Sequence, residues 1–302
     1  MTPMYGVRQH PPGGPASLVY EQLEQPTAGP GDALVRVHAA AITRGELDWP
    51  ADRLPATPSY EFSGVVAAVG PDVDDVEVGE AVYALNDFDR EGAAAEYTTI
   101  QAEFLAPKPE NLGHVESAAL PLAGLSAWQG LFIHGELTEG QRVLVHGAAG
   151  GVGHLAVQLA RVRDAYVIGT ASAASVDAVR GLGADEVIDH SSVRFEDAVE
   201  DVDLVFDAAG GEKLKRSPAV LRSGGRLVSV AAEPPRRRGM KSIYFVVEPN
   251  REQLVELARL ADQGDLRPAI DEVFPLVDAR RAFERSLDDQ RRGKIVLRVA
   301  DD

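Results

Sequence analysis

The chain has 302 residues, 47 acidic against 30 basic side chains, a formal net charge of −17 and no cysteine. The length suits two domains rather than one small core, and hydrophobic and charged fractions of 45% and 25% are those of a globular protein. The charge argues against nucleic acid or anionic membranes as partners, and the missing cysteine excludes disulfides, thiolate zinc sites and cysteine nucleophiles.

The first residues lack the basic start and apolar core of a signal peptide, and no apolar run approaches the roughly 20 residues of a membrane-spanning helix. A cytoplasmic location is the resulting expectation. Short strands are expected over Asp32–Thr43, Glu61–Val69, Gly79–Leu85 and Ala95–Phe104, separated by Gly and Pro turns. Such spacing predicts a β-rich barrel or sandwich. From about Asn111 the pattern changes. A helix is expected over Ala118–Phe132, then strands at Val143–His146, Tyr166–Gly169, Glu186–Asp189, Leu204–Phe206, Arg226–Val230 and Ile243–Val247, with helices between several of them. Alternation of this kind predicts an α/β domain with a doubly wound parallel sheet. The C-terminal segment contains a strand at Glu272–Leu276, a helix near Asp278–Ser286 and a closing strand at Lys294–Val299. The Arg236–Arg238 run reads as a surface loop, since one short basic cluster is a weak nucleic-acid signal in so acidic a chain.

The most informative stretch is RVLVHGAAGGVGHLAVQLARVR, residues 142–163. A buried strand runs into Gly147, Gly150 and Gly153 in GxxGxxG spacing, and apolar residues then recur at Val152, Leu155, Ala156, Leu159 and Ala160 on one helical face. Glycine at such a turn lets the backbone approach a pyrophosphate, and the amides of the first helical turn supply donors. This context predicts dinucleotide binding. NAD binders usually carry an acid at the end of the second strand; here Thr170-Ala171-Ser172-Ala173-Ala174-Ser175 follows, with no acid until Asp177. NADP(H) is therefore the expected cofactor. Ser172 and Ser175 are equally suited to capping a helix.

VHGAAGGVG, with AALPLAGLSAWQGL (residues 118–131), VFDAAGG (205–211) and RGKIVL (292–297), resembles the zinc-independent quinone oxidoreductases of the medium-chain dehydrogenase/reductase superfamily. The resemblance spans nearly the whole chain. It implies a GroES-like catalytic domain over residues 1–115, a Rossmann domain over 116–265 and a return to the catalytic domain over 266–302. It also implies a homodimer joined along the outer Rossmann strand near Ile243–Val247. Zinc-containing relatives hold their metal with residues whose positions match Thr43, Tyr60-Glu61 and Ala123 here, of which only Glu61 is a metal ligand. One carboxylate cannot make a three-ligand catalytic zinc site, so no metal is expected.

Motif position further implies site residues. Thr43 and Tyr60 should face the nicotinamide, with Tyr60 hydrogen bonding or protonating the substrate oxygen; a packed tyrosine with a satisfied hydroxyl is the alternative. Glu46, at a position usually Asp, should support the loop. Gly150, Gly151 and Val152 should meet the pyrophosphate, while Thr170, Ser172 and His190 should surround the adenosine ribose and 2′-phosphate. Ser126, Ala208, Ala231, Phe245 and Val247 match positions near the nicotinamide, the last two acting through backbone groups. Lys294 is placed to reach the cofactor or the cleft, or to stay solvated.

The activity implied is NADPH-dependent, metal-free hydride transfer to a quinone or α,β-unsaturated carbonyl. Such acceptors delocalise the charge that hydride addition creates and so need no Lewis acid. The rival readings are an enoyl-thioester reductase of the same superfamily and a non-catalytic NADPH-binding redox sensor.

Overall fold

The computed structural model describes residues 2–288 and 291–301. They form two compact units. One comprises residues up to Leu122 with Glu248–Gly264 and Pro268 onward; the other comprises Ala123–Val247 with Asp265–Arg267.

The first unit opens on an antiparallel hairpin of β1 (Pro3–Gln9) and β2 (Leu18–Glu24). The strands β3 (Asp32–Ile42), β4 (Glu61–Val69), β5 (Ala81–Leu85), β6 (Tyr97–Gln101) and β7 (Ala106–Pro107) follow, and then the short helix α1 (His114–Ala118). Long β3 is the hub, antiparallel to both β4 and β6. Its alternating Val35 and Val37 meet Phe62, Val66, Val82, Ile100 and Leu105 in one buried cluster. Burying that much branched and aromatic surface is what drives these short strands together.

In the second unit the chain leaves α2 (Pro121–Trp128) through a wider π-type turn at Gln129–His134. It then alternates β8 (Arg142–His146), α3 (Gly153–Val162), β9 (Tyr166–Ala171), α4 (Val176–Gly181), β10 (Glu186–Asp189), β11 (Val202–Asp207), α5 (Gly211–Arg216), β12 (Leu221–Ser229) and β13 (Lys241–Tyr244). All six strands are parallel, in the order β10-β9-β8-β11-β12-β13. The chain therefore winds outward from β8 and then restarts on its other side at β11. Crevices at such a reversal, beyond the carboxyl ends of the strands, are where open α/β sheets bind ligands.

The remainder adds α6 (Arg251–Asp262), β14 (Ile270–Pro275), α7 (Ala279–Ser286) and β15 (Lys294–Arg298). Strand β15 pairs antiparallel with β3, setting Ile295 opposite Ile42 and Val296 opposite Ala41. Helix α6 falls, by sequence expectation, in the parallel-sheet region ending at 265, but it belongs with the first unit. The Tyr83 hydroxyl donates to the Leu254 carbonyl, and Asn111 donates its backbone and side-chain N–H groups to Asp262 at 2.9 Å each. Its sequence signals are a capping residue and apolar spacing: Asn250 accepts from Gln253 N at 2.9 Å, and Leu254, Leu257, Ala258 and Ala261 are buried.

The helix expected over residues 118–132 is instead broken. Pro121 has no N–H to continue α1 but suits the first position of a new helix, and the backbone widens again at Gln129. Gly130 within that turn is pressed against β11: a Cβ there would lie 2.2 Å from the Phe206 ring. No helix among the described residues is long and apolar enough to cross a membrane.

Gly130→Ala forces the buried Phe206 ring to move. It is expected to lower unfolding stability by about 1–3 kcal/mol in urea denaturation. An unchanged midpoint would show that the ring yields without cost.

Candidate functional site

At the carboxyl end of β8 the backbone turns on Gly147, whose φ of 72° is left-handed and suits glycine. Gly150 N donates back to Gly147 O at 2.9 Å, closing the turn. Two glycines then permit the close approach. A Cβ on Gly150 would sit 3.2 Å from Gly147 O, and one on Gly153 only 2.0 Å from it. With these hydrogens in place of methyls, α3 starts directly over the end of β8, and Gly150, Gly151 and Val152 remain partly exposed. His154 is buried and directs Nδ1 at the Gly150 carbonyl, 2.9 Å away. The residues fit a pyrophosphate: side-chain-free backbone beside the first-turn amides of a ten-residue helix.

The ends of β9 and β10 hold the residues predicted for the adenosine. Thr170 is fully buried with Oγ1 3.2 Å from His146 Nδ1, so its hydroxyl is turned into the sheet rather than toward a ribose. The expectation that Thr170 contacts the ribose through this group is corrected on that ground. His146 Nε2 lies 2.9 Å from Ser217 Oγ on the other side. Burial first, then the nearby Lys213 and Arg216 charges, push its pKa down to about 3, so His146 is neutral over the physiological range. Ser172 is exposed, its hydroxyl 3.4 Å from that of Ser175. His190 is also exposed and donates its backbone N–H to Ala171 O at 3.0 Å, which keeps the two strand ends adjacent. The nearest downstream acid, Asp177, lies 3.4 Å from Arg180 on its own helix.

Further along the same sheet end, Ala208 follows β11 and Ala231 follows β12, partly exposed and exposed respectively. Between them Asp207 accepts from Ser229 Oγ at 2.7 Å and Gly210 N at 3.0 Å, fixing both loops. Burial raises the Asp207 pKa, opposed by these hydrogen bonds. Phe245 and Val247 are buried; the Phe245 N–H donates to Ser229 O at 3.3 Å, and its ring stands 4.4 Å from that of His134. Ser126 is buried on α2.

In the first unit the decisive contact is non-local. Lys294, on β15, is 5% exposed and forms an ion pair with the fully buried Glu61 at the start of β4. Its ammonium also donates to Ile42 O at 3.2 Å and lies 3.5 Å from Thr43 Oγ1. Leu122 N donates to the second Glu61 oxygen at 2.9 Å. The alternative of a solvated Lys294 is corrected, because the ammonium is buried and a buried ammonium needs a carboxylate, which Glu61 provides. Partly exposed Thr43 thus carries a hydroxyl against a fixed positive charge. Tyr60 is fully buried among Trp49 and Phe88; its hydroxyl accepts from Arg53 and donates to Arg90 O at 2.8 Å. Burial pushes its pKa up to about 12 against the pull of Arg53. The phenolic hydroxyl is thus engaged on both sides, by Arg53 and by Arg90.

Two family models match this chain, "Alcohol dehydrogenase GroES-like domain" over residues 29–110 and "Zinc-binding dehydrogenase" over 182–297. Among similar proteins, the chain is 31% identical to a "Probable zinc-binding oxidoreductase, mitochondrial" of Arthroderma benhamiae, over 97% of this chain and 96% of that one. It is 34% identical to the "NADPH-dependent alkenal/one oxidoreductase, chloroplastic" of Arabidopsis thaliana, over 87% and 71%. A quinone oxidoreductase structure from Coxiella burnetii superposes with a TM-score of 0.92 at 30% identity, over 99% of this chain and 100% of that one. The chain belongs to the medium-chain dehydrogenase/reductase superfamily, among its quinone oxidoreductase-like members. Its expected fold, a GroES-like β-rich domain and a Rossmann parallel sheet, is the one found.

Within this medium-chain dehydrogenase/reductase, no group of three or more His, Cys, Asp or Glu side chains among the described residues is arranged to hold a metal. Glu61, the one ligand type at the zinc positions, is engaged by Lys294 and Leu122. Beside that pair lies Glu46, buried on the turn after β3. Its Oε2 accepts from Ser59 N at 2.8 Å, and Oε1 has no hydrogen-bond partner among the described residues. Burial raises its pKa to about 8, although the Ser59 hydrogen bond and Lys294 oppose the shift. Glu46 is therefore protonated at neutral pH, an unexpected state at the position read from sequence as a loop support. The sequence signal for these groups was weak. A Lys heading the apolar strand KIVLR and a Glu heading EFSGVV are each out of place alone, and only the fold brings them together.

The folded pKa of Glu46 exceeds its ordinary value of 4.5, so between about pH 4.5 and 8 the folded state keeps a proton the unfolded chain releases. Stability from this source is complete below 4.5 and falls as pH rises through 8. Glu46→Gln, which keeps the neutral shape, is expected to flatten that decline by a few kcal/mol, on the order of 1.4 per pKa unit. Parallel urea-midpoint profiles of the two proteins from pH 5 to 8.5 would refute the assignment.

Proposed function

We propose that this chain is an NADPH-dependent reductase of quinones or α,β-unsaturated carbonyls. The observation that carries the reading is the end of β9. A sheet of Rossmann order presents its glycine turn at β8, and the next strand is followed directly by exposed Ser172 where an NAD binder places an acid. The names of the Arabidopsis and Coxiella relatives support both the cofactor and the acceptor class.

Reduced nicotinamide, when bound, supplies the hydride. The chain's own residues bind, orient and polarise. Gly150, Gly151 and Val152 receive the pyrophosphate on backbone amides, and Ser172 and His190 border the adenosine. Ala208 and Ala231, small and respectively partly exposed and exposed beyond β11 and β12, leave room for the nicotinamide half, with Ser126, Phe245 and Val247 as supporting residues. On the acceptor side we assign the donor role to Thr43 rather than Tyr60. Lys294 donates toward Thr43 Oγ1, which leaves the Thr43 proton free to point at an acceptor oxygen and makes it more acidic. Acceptors that spread the incoming charge over a conjugated system suit this modest electrophile. For assembly, β13 is the sheet edge and carries exposed Tyr244 and Val246 beside it, which supports homodimer pairing along that strand.

The test is NADPH oxidation, followed by absorbance, with a panel of quinones and enones. Turnover above the uncatalysed rate is expected, and its absence with every acceptor would sink the reading in favour of a non-catalytic NADPH binder. Thr43→Val should lower kcat about 10²-fold, with Thr43→Ser retaining most activity; equal rates for Val and wild type would remove Thr43 from the chemistry. For the cofactor, Ser172→Asp is expected to reverse the preference from NADPH to NADH in equilibrium binding, because its carboxylate repels a 2′-phosphate and accepts from a 2′-hydroxyl. Equal affinity of the unmutated protein for both cofactors would contradict the 2′-phosphate assignment.

A further inference from the structure

The adenosine end of this site poses a charge problem. Residues 170–176 contain neither Lys nor Arg, and the chain carries seventeen excess negative charges overall. Hydroxyls alone would have to hold a dianionic 2′-phosphate there, where a cation is worth far more. The parallel-sheet unit nevertheless holds one cation that is half-buried and unengaged. Helix α5 carries Lys213, Lys215 and Arg216. Lys215 pairs with Glu212 and Arg216 with Glu196, each at 2.6 Å. Among the described residues the Lys213 ammonium has no such partner, although its side chain is partly withdrawn from water.

Several contacts fix where helix α5 lies. Leu214, the next residue, packs in a cluster with Leu144, Ile168 and Ile188 of β8, β9 and β10. Ser217 Oγ donates to the Lys213 carbonyl at 2.8 Å and touches His146 Nε2 at 2.9 Å, and His146 Nδ1 reaches Thr170 Oγ1. Helix α5 is thereby tied to the carboxyl ends of β8 and β9. After burial itself, the Lys213 charge is the largest influence holding down the pKa of both His146, at the end of β8, and His190, just after β10. Asp207, the acid that also senses it, already has its oxygens occupied by Ser229, Gly210 and Ala209. A half-buried ammonium with no counter-charge within ion-pair distance among the described residues, on a helix tied to the carboxyl ends of β8 and β9, is a site waiting for an anion.

We propose that Lys213 is the cation that recognises the 2′-phosphate of NADPH, reaching it from the helix after the fourth Rossmann strand, with Ser172 and His190 bordering the same group. The inference rests on the NADPH reading above and assigns its specificity to a residue outside the loop that usually carries it. Thr170, whose hydroxyl serves His146, acts only by anchoring α5.

The test is equilibrium binding, independent of turnover. Kd values for NADPH and NADH are measured by nicotinamide fluorescence, with 2′,5′-ADP and 5′-AMP as competitors, for the native chain, Lys213→Met and Lys213→Arg. Lys213→Met is expected to weaken NADPH and 2′,5′-ADP about tenfold or more while leaving NADH and 5′-AMP within about twofold, and Lys213→Arg should restore much of the loss. A merely structural lysine would weaken all four ligands alike, and that result would overturn the proposal, as would an unchanged NADPH-to-NADH ratio. Native protein that binds neither NADPH nor 2′,5′-ADP would overturn the cofactor reading and this one with it. Native preference for NADPH that survives Lys213→Met overturns this one alone.

Discussion

The parallel-sheet unit depends on one forbidden space. A Cβ at Gly153 would lie 2.0 Å from the Gly147 carbonyl, so the helix after β8 can begin where it does only because no side chain exists there. From that close approach follow the exposed backbone over the strand end and the placing of first-turn amides beyond it. The rest of the sheet converges on the same edge: β9 and β10 deliver Ser172 and His190, and β11 and β12 deliver Ala208 and Ala231. An acidic protein can bind an anionic cofactor on these terms, because local dipoles and one placed cation act at contact distance while the net charge is screened within about 10 Å.

Buried ionisable groups show a second economy. Lys294 and Glu61 neutralise each other where β15, β3 and β4 meet. Glu46 is neutralised by keeping its proton, and His146 by losing one. Each solution removes a charge from a low-dielectric interior. Lys213 follows neither course, being only half-withdrawn and without an ion-pair partner among the described residues, and that contrast gives it functional weight. The Lys294 ammonium also lies 3.5 Å from the Thr43 hydroxyl.

Much of the fold was legible because its signals are local. Strand, glycine turn and amphipathic helix over residues 142–163 follow from periodicity and the conformational freedom of glycine, and the six-strand alternation follows from the same reasoning. The N-terminal hairpin carries little local signal, since Pro3–Gln9 and Leu18–Glu24 alternate weakly. Helix α6 had a cap and an apolar face in plain view but was hidden by its position within a region read as one domain. The break at Pro121 was likewise readable, from the missing N–H of proline.

The site was less legible. Family position brought Thr43, Tyr60 and Lys294 into consideration, yet it could not say which of them is free to act. Tyr60 donates to Arg90, thirty positions away in the chain, and Lys294 pairs with Glu61 across 233. Thr170 is turned inward by a histidine on the neighbouring strand. By itself the sequence determined the strand–turn–helix geometry, the order of the parallel sheet's elements and the absence of an acid after β9, because these rest on stereochemistry within a few residues. Only the tertiary structure decided which hydroxyls are spent, which carboxyl keeps its proton and which lysine is left unpaired, because burial and ion pairing depend on what distant segments bring within a few ångströms.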